Sequence, residues 1–300
     1  MNRREMMIKT GAVALGARLC GFPASWVAKA DAPKRRILFF TKSSSFEHSV
    51  IRRRGNQLSH AEQILTDLGK QHGFNVAVTK NGSLLTAAYL ADFDALAFFT
   101  TGDLTQAGLD RQPPMTPEGK AALLAAIKNG KGFIGFHAST DTFKTPGDPY
   151  QDYGDQKDPY IAMIGGEFIK HGAQQKAKMI ATDVKFPGCG GFNDGFEMME
   201  EWYSLKHYAN DLHVLLVQET RGMKGKEYER PPYPATWVRR HGKGRVFYTS
   251  MGHREDVWTN PIFQAILLGG ISWAVGQIEA DVTPNLAQVA PRYMEMPPKG

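Results

Sequence analysis

One stretch, Lys131 to Phe143 (KGFIGFHASTDTF), constrains the fold more than any other part of the chain. Gly132 to Phe136 is an apolar run with no polar residue to turn toward water. Such a run suits a central parallel strand covered on both faces, not an edge strand with one wet side. It leads straight into a polar turn of His137, Ala138, Ser139, Thr140 and Asp141. In open α/β sheets ligands bind where the loops at the carboxyl ends of the strands converge. His137 is the first polar side chain offered there, and so the natural centre of a site. The competing reading is a histidine that caps the sheet by bonding a backbone carbonyl.

The segments before this strand alternate strand and helix. Arg36 to Thr41 reads as a first strand, with Lys42 to His48 as the loop at its carboxyl end. Leu58, Ala61, Ile64, Leu65 and Leu68 fall on one helical face. Phe74 to Thr79 is a second strand, Ser83 is placed to cap a short helix through Leu90, and Asp94 to Thr100 is a third strand. Thr116 with Pro117 marks a helix start, a capping hydroxyl followed by proline at the first helical position. That helix ends near Gly130 and delivers the chain into the central strand. Three βα units in succession predict an α/β fold, a doubly wound and mostly parallel sheet with helices on both faces.

Beyond His137 the pattern loosens. Lys144 to Asp158 is a long loop with Pro146, Pro149, Tyr150 and Tyr153, and Tyr160 follows it. Loops of this length inside a compact domain are functional or disordered more often than not. Ile164 to His171 follows, then a strand at Lys176 to Thr182, a glycine-rich turn at Pro187 to Gly191, and one segment from Phe196 to Leu205. His213 to Gln218, Ala235 to Arg240 and Arg245 to Ser250 read as strands, the last ending at Met251-Gly252-His253. A helix from Pro261 to about Val275 closes the domain. The boundaries expected are residues 1–30 as an export signal, 31–276 as one domain, and 277–300 as a surface tail.

The signal is read from Arg3 and Arg4 in a twin-arginine-type motif, an apolar stretch from Gly11 to Leu19, and Ala28-Lys29-Ala30 as a cleavage site. The apolar stretch, interrupted by Arg18, is too short to span a bilayer. The expected partners are therefore the twin-arginine export machinery and no stable membrane insertion after cleavage, with a periplasmic or otherwise exported destination. Residues 1–30 carry five basic side chains against Glu5, so of the net +6 only +2 remains in the mature chain. The basic balance thus belongs largely to the signal and does not argue for nucleic acid as a partner. Only Cys189 survives cleavage, which leaves no pair for an internal disulfide.

Polar groups gather at strand ends and in the irregular middle: Ser43 to Ser45, Glu47 and His48; His137, Ser139 and Asp141; His171 and Glu201; His253, Arg254 and Glu255. Parallel strand ends share one edge of a sheet, so His137 and His253 are expected in one pocket, with His48 on its rim. No Gly-x-Ser-x-Gly elbow or elbow cysteine is present, which removes the usual acyl-transfer nucleophiles. No Walker motif is present, and Gly188 to Gly191 lacks the lysine of a phosphate loop, so no nucleotide cofactor is expected. A divalent metal such as zinc could be held by His48, His137, His171, Glu201 and His253, since imidazole and carboxylate suit such ions.

GKGFIGFHAST, GGEFIKH, FEMMEEWYSL and PATWVRRHGKGRVFYTSMGH, with the closing helix, resemble the trehalose-utilisation (ThuA-like) family over about residues 36 to 276. The resemblance implies the class I glutamine amidotransferase-like fold, a flavodoxin-like parallel sheet. It places His253-x-Glu255 where amidotransferases carry their catalytic His-x-Glu, and His137 at or beside their nucleophilic cysteine. With the thiol missing, glutamine hydrolysis is not expected. The family's polar pocket maps onto His48, His137, His171, Glu201 and His253, with Glu200 behind Glu201. The resemblance further implies carbohydrate metabolism: a hydrolase or lyase acting on a sugar or 3-keto-glycoside, its partner a small-molecule carbohydrate. In that reading His137, His253 and Glu201 are catalytic, and His48, Ser139, Asp141 and Tyr153 bind substrate. The alternative is a non-catalytic sugar-binding protein on the same fold. Tyr150, Tyr153 and Tyr160 either stack on sugar faces or anchor their loop. A homo-oligomer is compatible with all of this.

Overall fold

The computed structural model describes residues 34–299. The export segment read over residues 1–30, with its cleavage site, lies outside them. The described chain begins with β1 (Arg35–Phe40), α1 (His60–His72), β2 (Phe74–Thr79), α2 (Ala87–Ala91), β3 (Ala95–Phe98), α3 (Pro117–Lys128) and β4 (Gly132–Phe136). Then come α4 (Pro159–Ile164), β5 (Glu167–His171), β6 (Gln175–Ala181), β7 (Phe196–Glu200), β8 (Tyr203–Lys206) and β9 (His213–Gln218). The chain closes with β10 (Tyr233–His241), β11 (Gly244–Thr249), α5 (Glu255–Trp258), α6 (Pro261–Ala274) and α7 (Leu286–Val289).

Nine strands form one sheet in the order β2-β1-β3-β4-β11-β10-β9-β6-β7. The first five run parallel, in the flavodoxin-like order with its switch point between β1 and β3. From β11 onward the pairing turns antiparallel, with β10 and β6 reversed between their neighbours. Seven of the nine strands therefore point one way, and the sheet is mostly parallel in direction. β5 and β8 pair separately as a two-stranded ribbon.

β4 lies at the centre with all five residues buried. Its two glycines explain how helices close on both of its faces. A Cβ on Gly132 would meet the Ala274 carbonyl of α6 at 2.4 Å, and one on Gly135 would meet the Ser139 hydroxyl at 2.7 Å with Ile164 of α4 beside it. The two positions are three apart, so they face opposite sides of the sheet. Only a strand without side chains there lets both layers approach.

Local chemistry accounts for most boundaries. Ser59 and Glu62 form a reciprocal capping box at the start of α1, and Thr116 accepts the Gly119 N–H beneath Pro117 at the start of α3. Three readings need correction. The cap of α2 is Thr86, because Asn81 engages Ser83 in a separate 3-10 turn. Leu58 lies outside the apolar face of α1, ahead of its cap and exposed. The segment Phe196 to Leu205 is not one element: it breaks at Glu201-Trp202 into β7 and β8, which join different sheets. Trp202 drives that break by burying its ring fully while its indole N–H reaches the Gln175 carbonyl. Among the described residues, no helix is long and apolar enough to cross a membrane.

Candidate functional site

Four elements deliver side chains to one point at the carboxyl edge of the sheet. His48 follows β1, His137 follows β4, His253 follows β11, and Glu201 stands at the break between β7 and β8. One ligand-capable atom from each lies within 4.8 Å of all the others, an arrangement that could hold a metal ion. The three imidazoles form a near-equilateral set, with ring centres 5.1, 5.2 and 5.2 Å apart. Glu201 is the hub. Its Oε2 lies 3.4 Å from His137 Nε2 and 3.1 Å from His253 Nδ1, and its Oε1 lies 3.3 Å from His171 Nδ1.

The backbone is shaped to present these groups. His137 adopts φ +35°, a conformation that L side chains rarely occupy, and its carbonyl is held by the Tyr248 hydroxyl at 2.9 Å. Gly252 sits at φ +117°, open to glycine alone, and places its own N–H and that of His253 on Glu200 Oε2 at 2.8 and 3.1 Å. Glu200 Oε1 accepts the Glu201 N–H at 2.7 Å. One buried carboxylate thus ties the β7 end to the loop after β11. His48 is steadied from outside: neighbouring Glu47 pairs with buried Lys80 and with Arg52, and the Thr101 hydroxyl holds the Phe46 carbonyl at 2.7 Å.

Burial sets the charge states. Desolvation, reinforced by the other two imidazoles, pushes His48 down to about 2 and keeps it neutral. Desolvation lowers His137 as well, against the pull of Glu201. Burial works to raise Glu201, but the neighbouring imidazoles of His137 and His253 outweigh it and hold the carboxyl well below the usual range. Glu200 is pushed up to about 7 by burial, its backbone donors only partly offsetting the cost. His137 Nδ1 donates to the Ser250 carbonyl at 2.8 Å, so its Nε2 carries a lone pair aimed at Glu201. A lone pair facing a carboxylate is repulsive unless a proton or a cation lies between them. His48 Nδ1, His137 Nε2 and His253 Nδ1 are all buried without a hydrogen-bond partner. This donor set fits a divalent ion of the kind that takes imidazole and carboxylate ligands.

The other sequence candidates fall at varying distances. His48 is inside the cluster and almost fully buried, not on a rim. His171 stands outside the quartet, its side chain 41 % exposed and its ring stacked on Tyr203. Asp141 is half-buried against Lys144 at 3.2 Å, and burial raises its carboxyl. Ser139 is fully buried over Gly135 within the sheet packing. Tyr153 anchors its loop: its hydroxyl accepts the Asp148 N–H, and its own N–H is accepted by His207 Nε2 at 2.8 Å. Tyr160 is a fully buried core ring and has no face to offer a sugar.

Two residues at the mouth escaped the sequence reading. Phe46 is 57 % exposed and stands edge-on to His48, ring centres 4.9 Å apart. Gln174 bridges His253 and Arg254, at 3.0 and 2.6 Å. An open depression of about 380 Å³ lies beside His253, lined by Ser49, Gln174, His253, Arg254, Glu255 and Asp256. Exposed loop residues of ordinary type carry no pattern; only adjacency to Glu47-His48 and to the GGEFIKH motif could have marked them.

With this geometry in place, comparison with known proteins decides the family. The model of the trehalose-utilisation family, ThuA, matches residues 36–274. The chain belongs to the ThuA family. Among solved structures, a ThuA-like protein from Bacteroides uniformis is similar at 18 % identity and a TM-score of 0.60, over 87 % of this chain and 98 % of that one. A ThuA-like protein from Parabacteroides merdae is similar at 18 % identity and a TM-score of 0.54, over 84 % of this chain and 94 % of that one. At such identities the likeness shows a shared fold and nothing finer. No curated protein matches the chain. The ThuA assignment places the chain in a family of carbohydrate utilisation.

Proposed function

We propose that this ThuA-family chain is an exported, metal-assisted enzyme that cleaves a sugar or a 3-keto-glycoside by hydrolysis or elimination. The observation that carries the reading is the quartet of His48, His137, Glu201 and His253, with buried ring nitrogens lacking partners. His48, His137 and Glu201 would hold the ion, zinc being well suited to them. A divalent ion there supplies electrophilic stabilisation to an oxygen that gains negative charge.

The chain's own residues supply the proton chemistry. A 3-keto group acidifies the neighbouring C2 hydrogen. His171 Nδ1 lies 3.0 Å from the Gly172 carbonyl, which leaves Nε2 as the basic nitrogen on a solvent-facing ring. It accepts the C2 proton, the C1–O bond breaks as the C1–C2 double bond forms, and the departing oxygen, held by a hydrogen bond from the His253 ring N–H, takes up a proton from solvent while His171 returns its own. Phe46 offers an exposed ring face beside His48 on which the apolar face of a sugar can stack. Export by the twin-arginine route belongs to the same proposal and is compatible with loading the ion before transport.

The test combines metal analysis of the purified mature chain with turnover of a panel of glycosides and their 3-keto forms. About one equivalent of a divalent ion and release of the alcohol from a keto-glycoside are expected. Absence of both metal and turnover sinks the reading. Saturable sugar binding without turnover would make the chain a binding protein.

A further inference from the structure

From the contacts around Gln174 we infer that this exposed residue sets the tautomer of His253, making His253 an N–H donor to a ligand oxygen and not a metal ligand. Arg254 fixes which way round the Gln174 amide sits. Its guanidinium is fixed by two bonds to Asp256, at 2.8 and 3.0 Å, and its remaining arm reaches Gln174 Oε1 at 2.6 Å. A guanidinium only donates, so the Gln174 atom facing it must be the amide oxygen. The amide nitrogen then faces His253 Nε2 at 3.0 Å. An amide NH₂ also only donates, so Nε2 must accept and carry the lone pair. In the neutral ring the proton is left on Nδ1.

That nitrogen points to the cluster. It lies 3.1 Å from Glu201 Oε2 but is not aligned with it as a hydrogen bond, and it is buried with no other partner. An orphaned N–H calls for an acceptor oxygen, whereas an orphaned lone pair calls for a cation. His137 presents the opposite case: the Ser250 carbonyl takes its Nδ1 proton and leaves Nε2 as a lone pair. The quartet therefore divides into a cation-binding part, His48, His137 and Glu201, and a donor, His253, which faces the substrate or solvent oxygen. Glu200, by holding the His253 backbone N–H, keeps the ring in register with Gln174. This division rests on the proposed function for its metal count, but the tautomer does not.

The tautomer is read directly from two-bond ¹H–¹⁵N spectra of the metal-free chain labelled at histidine, with the His253 ring identified by its loss in His253→Ala. The wild type should show His253 protonated at Nδ1. Gln174→Glu, which offers only acceptors, should move the proton to Nε2. Gln174 is exposed, so neither the fold nor the melting temperature should change. Zinc affinity gives a second readout: His253→Ala should lose less than about tenfold, and His137→Ala or Glu201→Ala about a hundredfold or more. A wild-type His253 protonated at Nε2, a tautomer unmoved in Gln174→Glu, or equal zinc loss in His253→Ala and His137→Ala would each overturn the inference. If no form of the chain binds zinc, the metal reading fails by itself and the tautomer spectra still decide the role of Gln174.

Discussion

At the residue scale, the site is an argument about which atoms lack partners. Glu201 draws three imidazoles around one carboxylate, and Glu200 behind it anchors the backbone of both Glu201 and His253. His137 and His253 add little to the hydrophobic core, since both stand at strand ends. Replacing either by alanine should cost roughly two or more orders of magnitude in rate, in line with positioned acid–base or ligand groups. The melting temperature should shift far less. Parallel loss of activity and stability in both variants would instead make them packing residues. His48, His137 and His253 were legible as polar residues following apolar strands, and Glu201 through its match to the family motif. Gln174 was not legible because its partner His253 lies 79 residues away, and Phe46 was not because an exposed loop phenylalanine beside His48 carries no pattern.

At the scale of elements, strands and helices were legible where periodicity and caps agreed, as in α1, α3 and β4. Pairing was not. β6, β9 and β10 were recognisable as strands, yet nothing in them announced an antiparallel wing, because register depends on partners that sequence order does not name. The break between β7 and β8 hid for the same reason: FEMMEEWYSL is apolar enough to read as one strand, and only the buried Trp202 reveals the turn. The tail is fastened to β9 by His213, whose Nδ1 donates to the Thr283 carbonyl at 2.7 Å and whose Nε2 faces Asp183 at 3.0 Å. Burial disfavours the charged ring, but Asp183 and the Thr283 carbonyl outweigh it and raise its pKa. Its bond to His213 holds the Asp183 carboxyl below the usual range. The raised histidine contributes fully below its unfolded value of about 6.5 and loses that contribution as pH rises through its folded value. The depressed aspartate contributes above its unfolded value of about 3.9 and loses it as pH falls through its folded value. The latch is therefore strongest between, at about pH 5 to 6. His213→Ala should destabilise the chain more at about pH 5.5 than at about pH 8.5, by up to about 1 kcal/mol in urea unfolding. Equal or greater loss at the higher pH would refute the charged latch.

At the scale of the molecule, the α/β class and a doubly wound parallel sheet were legible because three βα units in a row leave few topologies open, while the flavodoxin-like order followed from the family resemblance. The export reading concerns residues outside the described structure, and it has its own test. Replacing Arg3 and Arg4 together by lysine should leave unprocessed precursor inside the cell, seen as a larger band in the cytoplasmic fraction. Normal export of that variant would exclude the twin-arginine route.

Site and fold are joined through the sheet. His48, His137 and Glu201 come from the loop after β1, the turn after β4 and the β7–β8 break, so they meet only when the whole sheet is assembled. An ion held by them binds the folded chain in preference to the unfolded one, and its binding free energy adds to global stability. Zinc at about a hundred times its dissociation constant should contribute roughly 2.7 kcal/mol. For a chain of this size that corresponds to a rise in melting temperature of roughly 5 °C or more. Glu201→Ala should abolish the rise, because it removes the carboxylate at the hub. His171→Ala should preserve it, since His171 stands outside the quartet and touches only the far oxygen of Glu201. Calorimetry with and without zinc on the three proteins decides the matter. An equal shift in wild type and Glu201→Ala would place the ion elsewhere, and no shift in the wild type would remove the metal from the site.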